Sequence, residues 1–195
     1  MSFKIPVTSK EFVLAPEGSH LAICNAIIDL GMQPGSKMYP QPKRKVYIRF
    51  ELPGEQVEYE KDGQTMTGPM TVGATFTASM GKKSKLRQFI EGWFAKPFPS
   101  DEAASDFDLT KLLGRACLVN IAHNVSGDRV YANIASASPP LKNMEIPKQH
   151  NPSLVFNTEE WDEKVYESLP EWIRKKIDAR LEGTSGTTAD DEIPW

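Results

Sequence analysis

The chain has 195 residues, 39% of them hydrophobic, and a formal net charge of −3, which is room for one ordinary domain and an appendage. No apolar run approaches the roughly 18 residues of a membrane span, and Met1 to Thr8 has no apolar secretory core, so a soluble cytoplasmic protein is expected. Cys24 and Cys117 have apolar neighbours and His20, His123 and His150 are scattered; this excludes a zinc finger or ribbon, implies no metal or cofactor, and reads the thiols as buried groups of a reducing compartment.

The first predicted element is a strand from His20 to Leu30, bounded by Glu17-Gly18-Ser19 and Gly31. The second, Lys45 to Leu52, alternates without a miss: Val46, Ile48, Phe50 and Leu52 share one face, Lys45, Tyr47, Arg49 and Glu51 the other. Alternation of this kind marks a half-buried strand with its apolar side inward. Lys61-Asp62-Gly63 signals a turn in a short hairpin. The third strand, Met70 to Met80, sets Val72, Ala74, Phe76 and Ala78 against Thr71, Gly73, Thr75, Thr77 and Ser79.

A helix is expected over Lys82 to Ala95, because Leu86, Phe89, Ile90, Trp93 and Phe94 fall on one stripe. Pro97 and Pro99 close it. Two further strands follow, Arg115 to His123 and Arg129 to Ala137, joined by a turn at Asn124 to Asp128 and ended by Pro139-Pro140. Three strands, a helix and a two-stranded hairpin is the order of the OB-fold, a small Greek-key barrel. The fold class expected is therefore mainly β, a five-stranded barrel spanning residues 1–140, although a sandwich or a split β-α-β arrangement fits the same order.

Pro139 to Phe156 reads as an extended connector. Asn157-Thr158-Glu159-Glu160 resembles a capping box, predicting a helix over Thr158 to Ser168, and Pro170 suits the first turn of another ending at Glu182. The stripes Trp161, Val165, Leu169 and Trp172, Ile173, Ile177 are assigned to docking on the barrel, making 141–182 a connector with C-terminal helices. The remainder, 183–195, is a Gly, Ser, Thr and Ala spacer with too little apolar surface to order itself, ending in Asp190-Asp191-Glu192-Ile193-Pro194-Trp195. A partner would bury Ile193 and Trp195 and pair the carboxylates with its own cations.

Charge is divided along the chain. Met1 to His150 holds 18 Lys and Arg against 15 Asp and Glu, whereas Asn151 to Trp195 holds 5 against 11. A mildly basic body suits a phosphate ligand and an acidic end suits a protein partner. The nearest candidate for the phosphate is the outer face of the second strand. Lys43, Arg44, Lys45 and Arg49 would track a backbone and Tyr47 would stack on a base; an ordinary solvated β face would have the same residues. Arg129 and Tyr131, with Asn133 next, repeat the pairing on the fifth strand. Lys82, Lys83, Lys85 and Arg87 crowd the helix start against the macrodipole, where a phosphate would meet cations and free N–H groups.

The tip resembles that of bacterial single-stranded DNA-binding proteins, an acidic run closing on Ile-Pro-Phe, with Glu192 in place of the usual Asp and Trp195 in place of Phe. The whole arrangement of barrel, connector and acidic aromatic end resembles phage-encoded single-stranded DNA-binding proteins. The resemblance implies a non-catalytic protein in the host bacterial cytoplasm that coats and protects single-stranded DNA during replication, recombination or repair. It also implies that residues 190–195 recruit replication or recombination proteins. Two other readings compete: an adaptor of the replisome or virion that binds no DNA, and a metal-dependent nuclease using Asp101, Glu102, Asp106 and Asp108, which lie in an apparent loop without paired spacing.

Overall fold

A computed structural model describes residues 13–61 and 63–181. The N-terminal stretch, Asp62 of the predicted turn and the acidic tip at 190–195 lie outside the described residues. The chain is mainly β. Five strands, β1 (Gly18–Gln33), β2 (Lys43–Lys61), β3 (Gln64–Thr77), β4 (Ala116–Ser126) and β5 (Arg129–Ser138), form a curled antiparallel half-barrel in the order β3-β2-β1-β4-β5. The edge strands β3 and β5 approach each other, and α1 (Lys85–Phe94) packs against both. A short strand, β6 (Leu154–Phe156), pairs parallel with β1 at Ala26 to Ile28, beside the stretch of β1 that β4 pairs.

The first core lies inside the curl. Val46, Ile48, Phe50 and Leu52 of β2 meet Leu86, Phe89, Ile90 and Trp93 of α1 there, as the two periodicities require. Cys24 and Cys117 are fully buried in this core, and burial pushes the Cys24 thiol up to about 12. Trp93 Nε1 donates to the Ala116 carbonyl at 3.0 Å, so the largest buried ring leaves no polar atom unpaired.

A second core occupies the outer face of the same sheet. Ala26, Ile28 and Leu30 of β1 and Tyr47 of β2 are covered by Phe156, Leu169, Ile173 and Ile177. The last three belong to a cap formed by α3 (Glu163–Ser168), α4 (Glu171–Asp178) and the joint between them. Each such aliphatic or aromatic side chain contributes about 1.5–3 kcal/mol when fully buried, as an upper estimate. The nearly unbroken apolar run of β1, Leu21 to Leu30, is the composition of a strand buried on both faces.

Several expected boundaries move. The capping box does not start α3, because Thr158 donates to Asp29 and Asn157 Oδ1 accepts from the Glu159 amide at 3.1 Å. Asp162 caps the helix instead, accepting from the amides of Lys164 and Val165. Helix α1 begins at Lys85, since Ser84 Oγ accepts from the Arg87 amide at 3.2 Å. The expected short hairpin is a long arm in which β2 and β3 pair continuously from Gln56–Pro69 to Lys61–Gln64.

Candidate nucleic-acid interface

The outer row of β2 was expected to face solvent, and the structure corrects this. Arg44 donates to Asp29 at 3.1 and 2.9 Å and to Glu159 at 2.6 Å. Lys45 Nζ donates to Thr77 Oγ1 at 2.7 Å, and Arg49 Nε to Asn25 Oδ1 at 3.0 Å. Glu51, fully buried, accepts from the His150 amide at 2.6 Å and from the Asn151 amide and side chain at 2.8 Å. The polar residues of the row thus engage neighbouring strands and the connector. They are drawn into place because a buried polar group without a partner costs free energy.

Tyr47 is only 8% exposed, and burial pushes its phenol up to about 12. Its ring lies over Gly73 on β3, where any Cβ would overlap it. Trp172 of α4 meets it edge-on, with ring centroids 5.1 Å apart and an interplanar angle of 88°. Tyr47 is therefore not an open platform for a base. Burial, followed by the neighbouring charge of Lys43, holds the Lys45 ammonium below its ordinary pKa. Of the cations assigned to this strand, Lys43 is the one left exposed.

The cluster at the start of α1 is divided in the same way. Arg87 is 6% exposed and donates to Glu91 at 2.9 Å, to Asp101 at 2.8 Å and to the Met80 carbonyl at 3.3 Å. Lys82 pairs with Asp101 at 3.3 Å. The Arg87 amide is already taken by Ser84. Lys83 and Lys85 remain exposed. Arg87 is thus a structural tie between α1 and α2 (Asp101–Ser105), and the phosphate site expected there loses its central residue.

On β5 the expectation and the structure agree on exposure. Arg129, Tyr131 and Asn133 all face solvent, with Tyr131 45% exposed. Asn124 stands opposite Tyr131 across the β4–β5 ladder. The hairpin closes through Gly127 at φ +60°, a conformation that favours glycine. The sequence reading missed the 34–42 loop between β1 and β2. There Met38 and Tyr39 are 79% and 69% exposed, alongside exposed Lys37 and Lys43. The Ser36 amide donates to the Tyr39 carbonyl at 2.8 Å and the Tyr39 amide to Ser36 Oγ at 3.1 Å, fixing the loop. The signal was available: Pro34, Pro40 and Pro42 enclose an aromatic residue that no strand or helix pattern claims.

The acidic group divides among local roles. Asp101 pairs with Arg87 and Lys82, and Asp108 Oδ1 accepts from the Thr110 amide at 2.9 Å. Among the described residues no three His, Cys, Asp or Glu side chains are placed to hold a metal ion. The described chain ends beside the β1–β2 loop, where the Leu181 amide donates to the Met32 carbonyl at 2.8 Å. Compared with known proteins, the chain matches no family model, no curated protein and no solved structure.

Proposed function

We propose that this chain is a non-catalytic single-stranded DNA-binding protein with an OB-type barrel. It coats and protects DNA during replication, recombination or repair, and recruits enzymes through Asp190 to Trp195. The observation that carries this reading is the pair of exposed cation–tyrosine loops. The β1–β2 loop offers Lys37 and Tyr39, with Lys43 at the start of β2, and the β4–β5 hairpin offers Arg129 and Tyr131. In an OB-fold these two loops border the face of strands two and three that binds oligonucleotides. The order β3-β2-β1-β4-β5, with a helix between β3 and β4, supports that barrel opened between its third and fifth strands. Lysine and arginine neutralise phosphates without reading bases, and exposed tyrosines stack on any base.

The test is titration of the full chain with a fluorescent dT oligomer at increasing salt, beside a duplex of equal length. The reading expects tight binding to dT that falls steeply with salt, and weaker duplex binding. Equal affinity for both, or none at low salt, overturns it. Deleting Asp190 to Trp195 is expected to tighten dT binding at low salt and to abolish partner capture. One observation favours the adaptor reading: the chain's own cap occupies much of the outer face of β1 and β2. Partner capture without any dT binding would select it.

A further inference from the structure

The cap that buries Tyr47 also places a different ring over the same strand. Trp172 is 46% exposed although its ring meets the buried Tyr47 ring at a right angle, so much of the indole stays open to solvent beside the covered phenol. Tyr47 is held in place, because its ring rests on Gly73 and it is buried in one core with Leu169 and Ile173 of the cap. Lys176, one turn along α4, holds its ammonium 5.3 Å from the Trp172 ring centroid. On β3, Thr75 stands opposite Tyr47 and Thr71 opposite Glu51, both exposed. The Glu51 carboxylate itself is fully buried, accepting from three N–H groups of the connector. A single-stranded nucleic acid crossing β2 and β3 would therefore meet an indole, an exposed lysine and two threonine hydroxyls.

We infer that Trp172, beside Tyr47, is a base-stacking platform of this protein, and that Lys176 is its phosphate partner. The inference rests on the proposed single-stranded DNA reading and names the ring that serves it on the β2–β3 face. An exposed lysine over an indole is weakly held. Lys176 can leave the ring for a phosphate as a base takes the vacated face, so binding exchanges one contact for two. Trp161 repeats the pattern further along the cap, 40% exposed with the Arg180 guanidinium 5.1 Å from its ring. Its other contacts, to Phe156 and Tyr166, fix it more firmly in the fold.

The experiment uses the full chain and a dT oligomer at low salt. In a Trp161→Phe, Trp195→Phe background the indoles left are Trp172 and the buried Trp93, so stacking reports on Trp172. The expected result is strong quenching on dT addition. Trp172→Ala should weaken dT binding about tenfold or more, and Trp172→Phe should recover most of that loss. Lys176→Gln should reduce the salt dependence by about one released counterion. Thermal melting of each variant separates lost stacking from a lost fold. Binding to dT with unchanged Trp172 fluorescence, or equal affinity in Trp172→Ala, overturns the inference and leaves the wider reading standing. No dT binding by the parent chain removes both.

Discussion

Asp29 shows how a single residue joins the barrel to its cap. Its carboxylate accepts from Arg44, from Thr158 through both amide and hydroxyl, and from the Gly31 amide at 3.0 Å. Burial alone would raise its pKa, but the Arg44 and Thr158 hydrogen bonds, the Gly31 amide and the Arg44 charge together hold it below its ordinary value of 3.8. The stabilisation is whole above that pH and drains away as the pH falls through the lower, folded value. Asp29→Asn should therefore lose about 1–3 kcal/mol at pH 7, as expected for hydrogen bonds to a charged group. Urea melts at pH 7 and pH 3 check this: the gap between variant and parent should narrow in acid, and a constant gap would reject the assignment. The sequence shows Asp29 as an interruption in an apolar strand and says nothing of Thr158, which is brought to it by the cap.

At the scale of elements, local chemistry set where helices begin more faithfully than charge did. Ser84 caps α1 and Asp162 caps α3, both through side-chain oxygens accepting backbone amides. Ser84→Ala should cost about 1 kcal/mol, read as a lower midpoint in urea with an unchanged slope. No change would mean that packing of Phe89, Ile90 and Trp93 alone holds the helix. The predicted box at Asn157 to Glu160 failed for a physical reason: its Thr and Asn side chains had stronger offers, the half-buried Asp29 carboxylate and a local turn. The alternation of β2 correctly assigned Val46, Ile48, Phe50 and Leu52 to one core. It could not show that the opposite face is covered, because lysine, tyrosine, arginine and glutamate satisfy a wet strand and a polar interface equally well.

For the whole molecule, residues 139–181 are part of the fold. The connector is pinned at Glu51, β6 extends the sheet beside β1, and Arg180 and Leu181, just past α4, lie against Gly31 and Met32. A chain cut after residue 150 should aggregate, because Ile28, Leu30 and Tyr47 would be exposed to water, whereas one cut after residue 181 keeps the segment that covers them. Light scattering and circular dichroism of both fragments test this; a monomeric, cooperative shorter fragment would show that the cap is dispensable. The cap covers Tyr47, and Lys45 and Arg49 are engaged by Thr77 and Asn25 of the neighbouring strands, so the sheet's cationic row cannot serve as a whole. The solvent-facing candidates that remain are Lys43, Lys82, Lys83, Lys85, Arg129 and Tyr131, joined by Tyr39 of the β1–β2 loop.

The sequence by itself determined the order of the five long strands and α1, the core-facing stripes of β2 and α1, and the exposed pair at Arg129 and Tyr131. These depend on periodicity and turn residues, which act within a few positions of the chain. Of the two stripes assigned to docking, by contrast, Leu169, Ile173 and Ile177 are buried and Trp161 and Trp172 are left exposed. Only the tertiary structure decided which polar residues face water, because that turns on what a distant segment lays over them. Tyr47 and Trp172 make the point together: an alternating strand offers the phenol outward, and a helix more than a hundred residues later covers it and presents an indole instead.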